Sequence, residues 1–196
     1  MNITHRISGH FEESARLQEA CAELLSPVVA KTAELLAATF LNENKVLICG
    51  NGGSAALAQH LSAYLLHRFD LDRPGLPAIC LSSDNATLTA IANDTQFDQI
   101  FAKQVQALGQ KDDVLLIMSI GGNSPNILQA IRAAHDREMQ IVALTGGDGG
   151  DLLELLRQGD IHIGVPHEGA ARVQEIYLLI LHAMCDAIDS LLLGVE

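Results

Sequence analysis

The chain has no tryptophan and no low-complexity tract, and its 12 Lys and Arg are outnumbered by 24 Asp and Glu. Each shortage excludes something. A formal net charge of −12 removes the cationic footprint that direct binding to nucleic acid or to an anionic membrane requires. Cys21, Cys49, Cys80 and Cys185 stand apart, in no CxxC or Cys/His zinc spacing, and read as small core hydrophobes. Reduced thiols of this kind fit the cytoplasm. The opening MNITHRISGHFEES has no apolar signal core, and no apolar run approaches membrane-spanning length. The expectation is a soluble chain with no membrane and no nucleic acid as partner.

What is present is a 196-residue chain that is 48% hydrophobic, enough to bury the core of one domain over 1–196. Apolar spacing predicts an amphipathic helix over 5–25, then a start signal at Ser26-Pro27 and a second helix to Leu41. These two helices (1–44) precede a core over 45–196. There, short runs rich in Ile, Leu and Val at 46–49, 78–81, 114–119, 141–145 and 161–165 suit parallel strands buried on both faces. Helical segments at 54–69, 84–92, 97–108, 124–138, 149–157 and 169–193 alternate with them. The βαβα order predicts an α/β fold: a three-layer α/β/α sandwich with a five-stranded parallel sheet and an N-terminal helical pair.

In such a sheet ligands lie at the carboxyl ends of the strands, where loops enter helix N-termini. Gly50-Asn51-Gly52-Gly53-Ser54 and Ser119-Ile120-Gly121-Gly122-Asn123-Ser124 both run strand, glycine turn, helix. Backbone N–H groups at a helix start, with serine hydroxyls, favour a phosphate. Neither loop is a Walker A motif or a GxGxxG dinucleotide loop, and Thr145-Gly146-Gly147-Asp148-Gly149-Gly150 reads as a turn. Two serine-bearing loops after different strands point to a small phosphorylated ligand.

CGNGGSAALAQH, SDNATLTAIAND, KDDVLLIMS followed by GGNS, IVALTGGDGG and ARVQEIYLLILH, in that order, resemble the sugar isomerase (SIS) domain family. The similarity extends to two of its branches. One comprises the phosphoheptose (sedoheptulose 7-phosphate) isomerases, zinc-associated enzymes of lipopolysaccharide heptose synthesis. The other comprises the DnaA initiator-associating (DiaA) proteins, which keep the fold and bind the replication initiator. Both are homotetramers. The resemblance assigns ligand contacts to Asn51, Gly52, Gly53, Ser54, Asn93, Asp94, Ser119, Ser124 and Gln174, and an incomplete metal set to His60, Gln174 and His182. It makes His182 a catalytic residue if the chain is an enzyme.

The family's isomerase pattern places Glu four residues after His60, and this chain has Tyr64. Ketose–aldose isomerisation removes a proton beside a carbonyl and returns it to the neighbouring carbon, which needs a base that is free near neutral pH. A glutamate, with a reference pKa of about 4.3, is ionised there, whereas a tyrosine phenol at about 10 is protonated. The phosphate loop also departs, with Ile120 and Gly121 where the family has hydroxyls.

Both departures imply a DiaA-like homotetramer that binds a DnaA-type initiator and promotes chromosome replication, keeps a vestigial sugar-phosphate site, needs no cofactor and is not an enzyme. The alternatives are a sedoheptulose 7-phosphate isomerase, with zinc and with Glu168 or Glu175 as the replacement acid, and a non-catalytic sugar-phosphate sensor. His67, His135, His162 and His167 show no partner spacing and read as surface residues; Leu191-Leu192-Leu193 reads as a last packed turn or, if exposed, a docking patch.

Overall fold

Strands and helices alternate through residues 2–194, the part that the structure, a computed structural model, describes. The order is α1 (Ile3–Leu41), β1 (Val46–Gly50), α2 (Gly53–Leu66), β2 (Ala78–Cys80), α3 (Asn85–Asp94), a 3₁₀ turn (Phe97–Gln99), α4 (Ala102–Leu108), β3 (Val114–Met118), α5 (Pro125–Asp136), β4 (Gln140–Gly146), α6 (Leu152–Leu155), β5 (Ile161–Val165) and α7 (Ala170–Leu193). The five strands form one parallel sheet in the order β2-β1-β3-β4-β5.

Strand side chains alternate between two apolar layers. Val46, Ile48, Leu116, Leu144 and Ile163 pack with buried residues of α1, α2 and α7. Leu47, Cys49, Leu115, Ile117 and Ala143 pack with α4 and α5 on the other face. This is the three-layer sandwich that the continuous apolar strands implied. Chain order reverses between β1 and β3, which makes the crevice at their carboxyl ends the topological switch point. Both glycine–serine loops open there.

The helical pair expected before the sheet is a single 39-residue helix, α1, with Pro27 inside it. Proline removes a backbone donor, yet the helix continues because its buried stripe does not break. Cys21, Leu25, Val29, Ala33 and Leu36 face the core on both sides of Pro27, whose own ring points to solvent. The Ser26 hydroxyl donates to the Ala22 carbonyl in the same turn. Packing on α7, the most extensive contact between any two elements, outweighs the local signal that was read as the start of a new helix.

Other boundaries shift for local reasons. The segment at 97–108 divides into the 3₁₀ turn and α4, and the helix expected over 149–157 is a single turn, α6. By length and composition alone α1 and α7 could cross a membrane, contrary to the expectation from apolar runs, but 44% of each apolar window is buried in the fold. The two helices form an outer layer of the sandwich.

Candidate active site

The first glycine loop leaves β1 at Gly50 and turns into α2 through Gly52, which has φ of 56° and serves as N-cap. A Cβ on Gly53 would collide with the carboxamide of Gln174, so only glycine lets α7 lie this close to the start of α2. Ser54 is buried at the helix start. The Asn51 and Asn126 side chains exchange two hydrogen bonds, Nδ2 to Oδ1 at 2.9 and 2.8 Å, which pin this loop to α5.

The second loop follows β3. Ser119 is buried and its N–H donates to the Leu144 carbonyl at 3.0 Å. Gly122, with φ of 66°, has no room for a Cβ, since the Gly149 carbonyl lies against it. Ser124 is the N-cap of α5, but its hydroxyl makes no capping hydrogen bond. Asn123 is committed elsewhere, its Oδ1 accepting from the Asp151 N–H at 2.7 Å. Positive φ at Gly147, Gly149 and Gly150 bears out the reading of that run as a turn.

Two turns into α2, His60 meets His182 of α7, Nε2 to Nε2 at 3.1 Å. Tyr64 stands edge-on to both rings, with centroids at 4.6 and 5.6 Å, and Phe69 closes the cluster at 5.1 Å from Tyr64 and 5.7 Å from His182. Burial, and then the neighbouring His182, hold the His60 imidazole below its ordinary pKa. His60 is therefore neutral at pH 7. The 3.1 Å contact places a proton on one Nε2 and a lone pair on the other, so a donor and an acceptor stand side by side.

Gln174 packs over Gly53 at the loop end of the α2–α7 crevice. At 1.5 Å per residue the imidazole pair lies about 10 Å further along. Among the described residues no three His, Cys, Asp or Glu side chains converge. Two imidazoles fall one strong donor short of the three that a catalytic zinc site uses, and a carboxamide and a phenol are weak substitutes, so this set does not fit a tightly held zinc.

The replacement acids do not reach the imidazoles. Glu175 pairs with Arg172 at 2.7 Å, and Glu168 lines a cleft of about 200 Å³ with Ile120, Gly147 and Asp148. Asn93 and Asp94 end α3 exposed and hydrogen-bonded to each other at 3.0 Å. Two histidines read as surface residues are half-buried in polar pairs instead: His135 with Asp160 at 2.8 Å, and His162 with Thr145 at 2.7 Å. Their partners come from other elements, which spacing along the chain does not reveal. Leu191 and Leu193 are exposed while Leu192 packs on the core.

Sequence reasoning also missed Asn126, Phe69, Arg73 and Asp189. Arg73 and Asp189 form a buried ion pair, with Asp189 two turns beyond His182 on α7. An aspartate on the apolar face of α7 was the one available signal for it.

The fold and site define an α/β sandwich with two serine-bearing glycine loops at its switch point and an imidazole pair in the adjoining crevice. The family described as "SIS domain" matches residues 9–146, and the chain belongs to it. It is 54% identical over 196 residues to the phosphoheptose isomerase of Aromatoleum aromaticum, covering 100% of this chain and 99% of that one. The phosphoheptose isomerase of an Azoarcus species is 53% identical, with full coverage of both. Among solved structures, a phosphoheptose isomerase from Francisella tularensis superposes with a TM-score of 0.94 at 45% identity, over 97% of this chain and 100% of that chain. That from Neisseria gonorrhoeae gives 0.90 at 44%, over 96% and 100%. These relatives favour the isomerase alternative over the initiator-binding reading, and they lend no support to a chain without enzymatic activity.

Proposed function

We propose that the chain is a cytoplasmic phosphosugar isomerase acting on sedoheptulose 7-phosphate. The full-length similarity to proteins named phosphoheptose isomerase carries this reading. The geometry supplies a route. The loops at Asn51–Ser54 and Ser119–Ser124 bind the phosphate through backbone N–H groups and the Ser54 and Ser124 hydroxyls. The crevice then runs about 10 Å to the imidazole pair, a span that an extended seven-carbon sugar phosphate bridges from its phosphate to its carbonyl end. Neutral His60 takes the proton from the carbon beside the carbonyl. His182 donates to the carbonyl oxygen, and reversal on the neighbouring carbon completes the isomerisation. Asn93, Asp94 and Gln174 belong to the same ligand site on this reading.

The chain acts as one SIS domain and as a homotetramer. Support for assembly comes from the apolar residues left exposed on the outer helices, Ile3, Ile7 and Phe11 of α1 and Leu179 and Leu191 of α7.

One observation favours a second reading. Tyr64 fills the position where the family's carboxylate base stands, edge-on to both imidazoles. On that basis the chain is a non-catalytic SIS protein of the DiaA kind, holding a sugar phosphate without turnover and binding a DnaA-type initiator. Steady-state turnover of sedoheptulose 7-phosphate decides between them. Conversion at ordinary enzyme rates, lost in His182→Ala, supports the isomerase; no conversion together with capture of purified DnaA supports the regulator.

A further inference from the structure

His60 and His182 are 122 positions apart in sequence and meet only because α2 and α7 are held in register. The hydrogen bonds of the α2 backbone do not fix that register, and apolar contacts along the crevice tolerate sliding. A directional joint lies one turn beyond His60 on α2 and two turns beyond His182 on α7. Arg73, in the loop after α2, donates from Nη2 to the Tyr64 carbonyl at 3.1 Å and from Nη1 to the Leu65 carbonyl at 3.0 Å. Its Nε donates to the carboxylate of Asp189. Tyr64 and Leu65 belong to the last turn of α2, whose carbonyls have no intrahelical donor, and a guanidinium there also complements the helix dipole.

The Arg73 and Asp189 side chains are 1% and 3% exposed, and the second carboxylate oxygen, Asp189 Oδ2, has no hydrogen-bond partner. A buried ion pair with an unsatisfied oxygen is a poor source of stability compared with apolar side chains of equal volume. Its use is directional. The loop that carries Arg73 also presents Phe69, whose ring packs on Tyr64 and His182.

We propose that Arg73 and Asp189 are positioning residues that lock the end of α2 to α7 and so hold the His60–His182 pair at hydrogen-bonding distance. The kinetic consequence rests on the isomerase reading; the geometric one does not.

The test compares wild type with Arg73→Ala, Arg73→Lys and Asp189→Asn, each checked for fold by circular dichroism. Turnover of sedoheptulose 7-phosphate is measured alongside the imidazole ¹H–¹⁵N spectrum at one fixed pH. Misplacing reacting groups by an ångström costs on the order of 10²-fold, so Arg73→Ala loses about that factor in kcat with KM changed less than about twofold. The hydrogen-bonded imidazole N–H resonance disappears with it. Arg73→Lys, which keeps the cation, recovers part of both.

A folded Arg73→Ala protein with the resonance intact overturns the proposal. So does a rise in KM that matches the fall in kcat with no recovery in Arg73→Lys, which marks general loosening. Should Arg73→Ala fail to fold, Arg73→Lys and Asp189→Asn are read against wild type by the same criteria. A wild type that shows the resonance but no turnover sinks the isomerase reading alone, and loss of the resonance in the variants still supports the positioning role.

Discussion

The two ends of the crevice between α2 and α7 are built from different materials. At the loop end the proposed ligand contacts are mostly backbone, and the shape is set by glycines whose missing side chains make room for Gln174 and for the Gly149 carbonyl. At the imidazole end everything depends on side chains, and one of them, Tyr64, departs from the family's pattern. A backbone cradle survives substitution of its neighbours, because N–H groups do not depend on side-chain identity. A proton-transfer site changes character with a single residue. A chain can therefore keep its ligand while its chemistry is rewritten.

The largest expected effect breaks the imidazole end alone. His182→Ala removes one member of the acid–base pair and should lower kcat by about 10²–10⁴-fold, with KM for sedoheptulose 7-phosphate little changed, as read from steady-state kinetics. The converse substitution strikes the loop end. Ser124→Ala removes a hydroxyl that makes no capping bond, so melting temperature should hold. Phosphate affinity should fall by the roughly 1.5–3 kcal/mol of a hydrogen bond to a charged group, measured by calorimetry. A drop in melting temperature as large as the drop in affinity would show that the hydroxyl is structural.

Tyr64→Glu sharpens the contrast from the other direction. It returns an anionic donor beside two imidazoles and should tighten zinc binding at least about tenfold by competition with a chelating dye, leaving phosphate affinity at the loops untouched. The smallest effect is one of pH. Because the His60 pKa is lowered on folding, the unfolded chain binds more protons below its ordinary value of 6.5, so stability is full above that value and declines as pH falls through the lowered one. The base form of His60 is lost over the same range. Turnover should hold from neutrality down to pH 6.5 and fall only at more acid pH, whereas a plateau that already fails at neutral pH would contradict the assignment of His60 as the base.

The strands and both glycine loops were legible because their signals are local: continuous apolar runs, and Gly and Ser at a strand-to-helix junction. The imidazole end was legible only at its chemistry-bearing residues. His60, Tyr64 and His182 stood out by their places in a family pattern, but Phe69, Arg73 and Asp189, like Asn126 at the loop end, act through contacts between distant segments. The half-buried pairs of His135 with Asp160 and of His162 with Thr145 escaped for the same reason. Pro27 misled in the opposite sense. With Ser26 it gives a local start signal for a second helix, and packing on α7 overrides it.

That packing has a consequence for how the chain reaches its structure. α1 precedes every strand and α7 follows every one, so the most extensive contact in the fold joins segments made far apart in time on the ribosome. The apolar stripe of α1, from Cys21 to Phe40, has no α7 to pack on until the rest of the chain has been made. High contact order of this kind slows folding and prolongs exposure of apolar surface. Nascent chains that stall before α7 therefore leave the α7-facing part of this stripe uncovered.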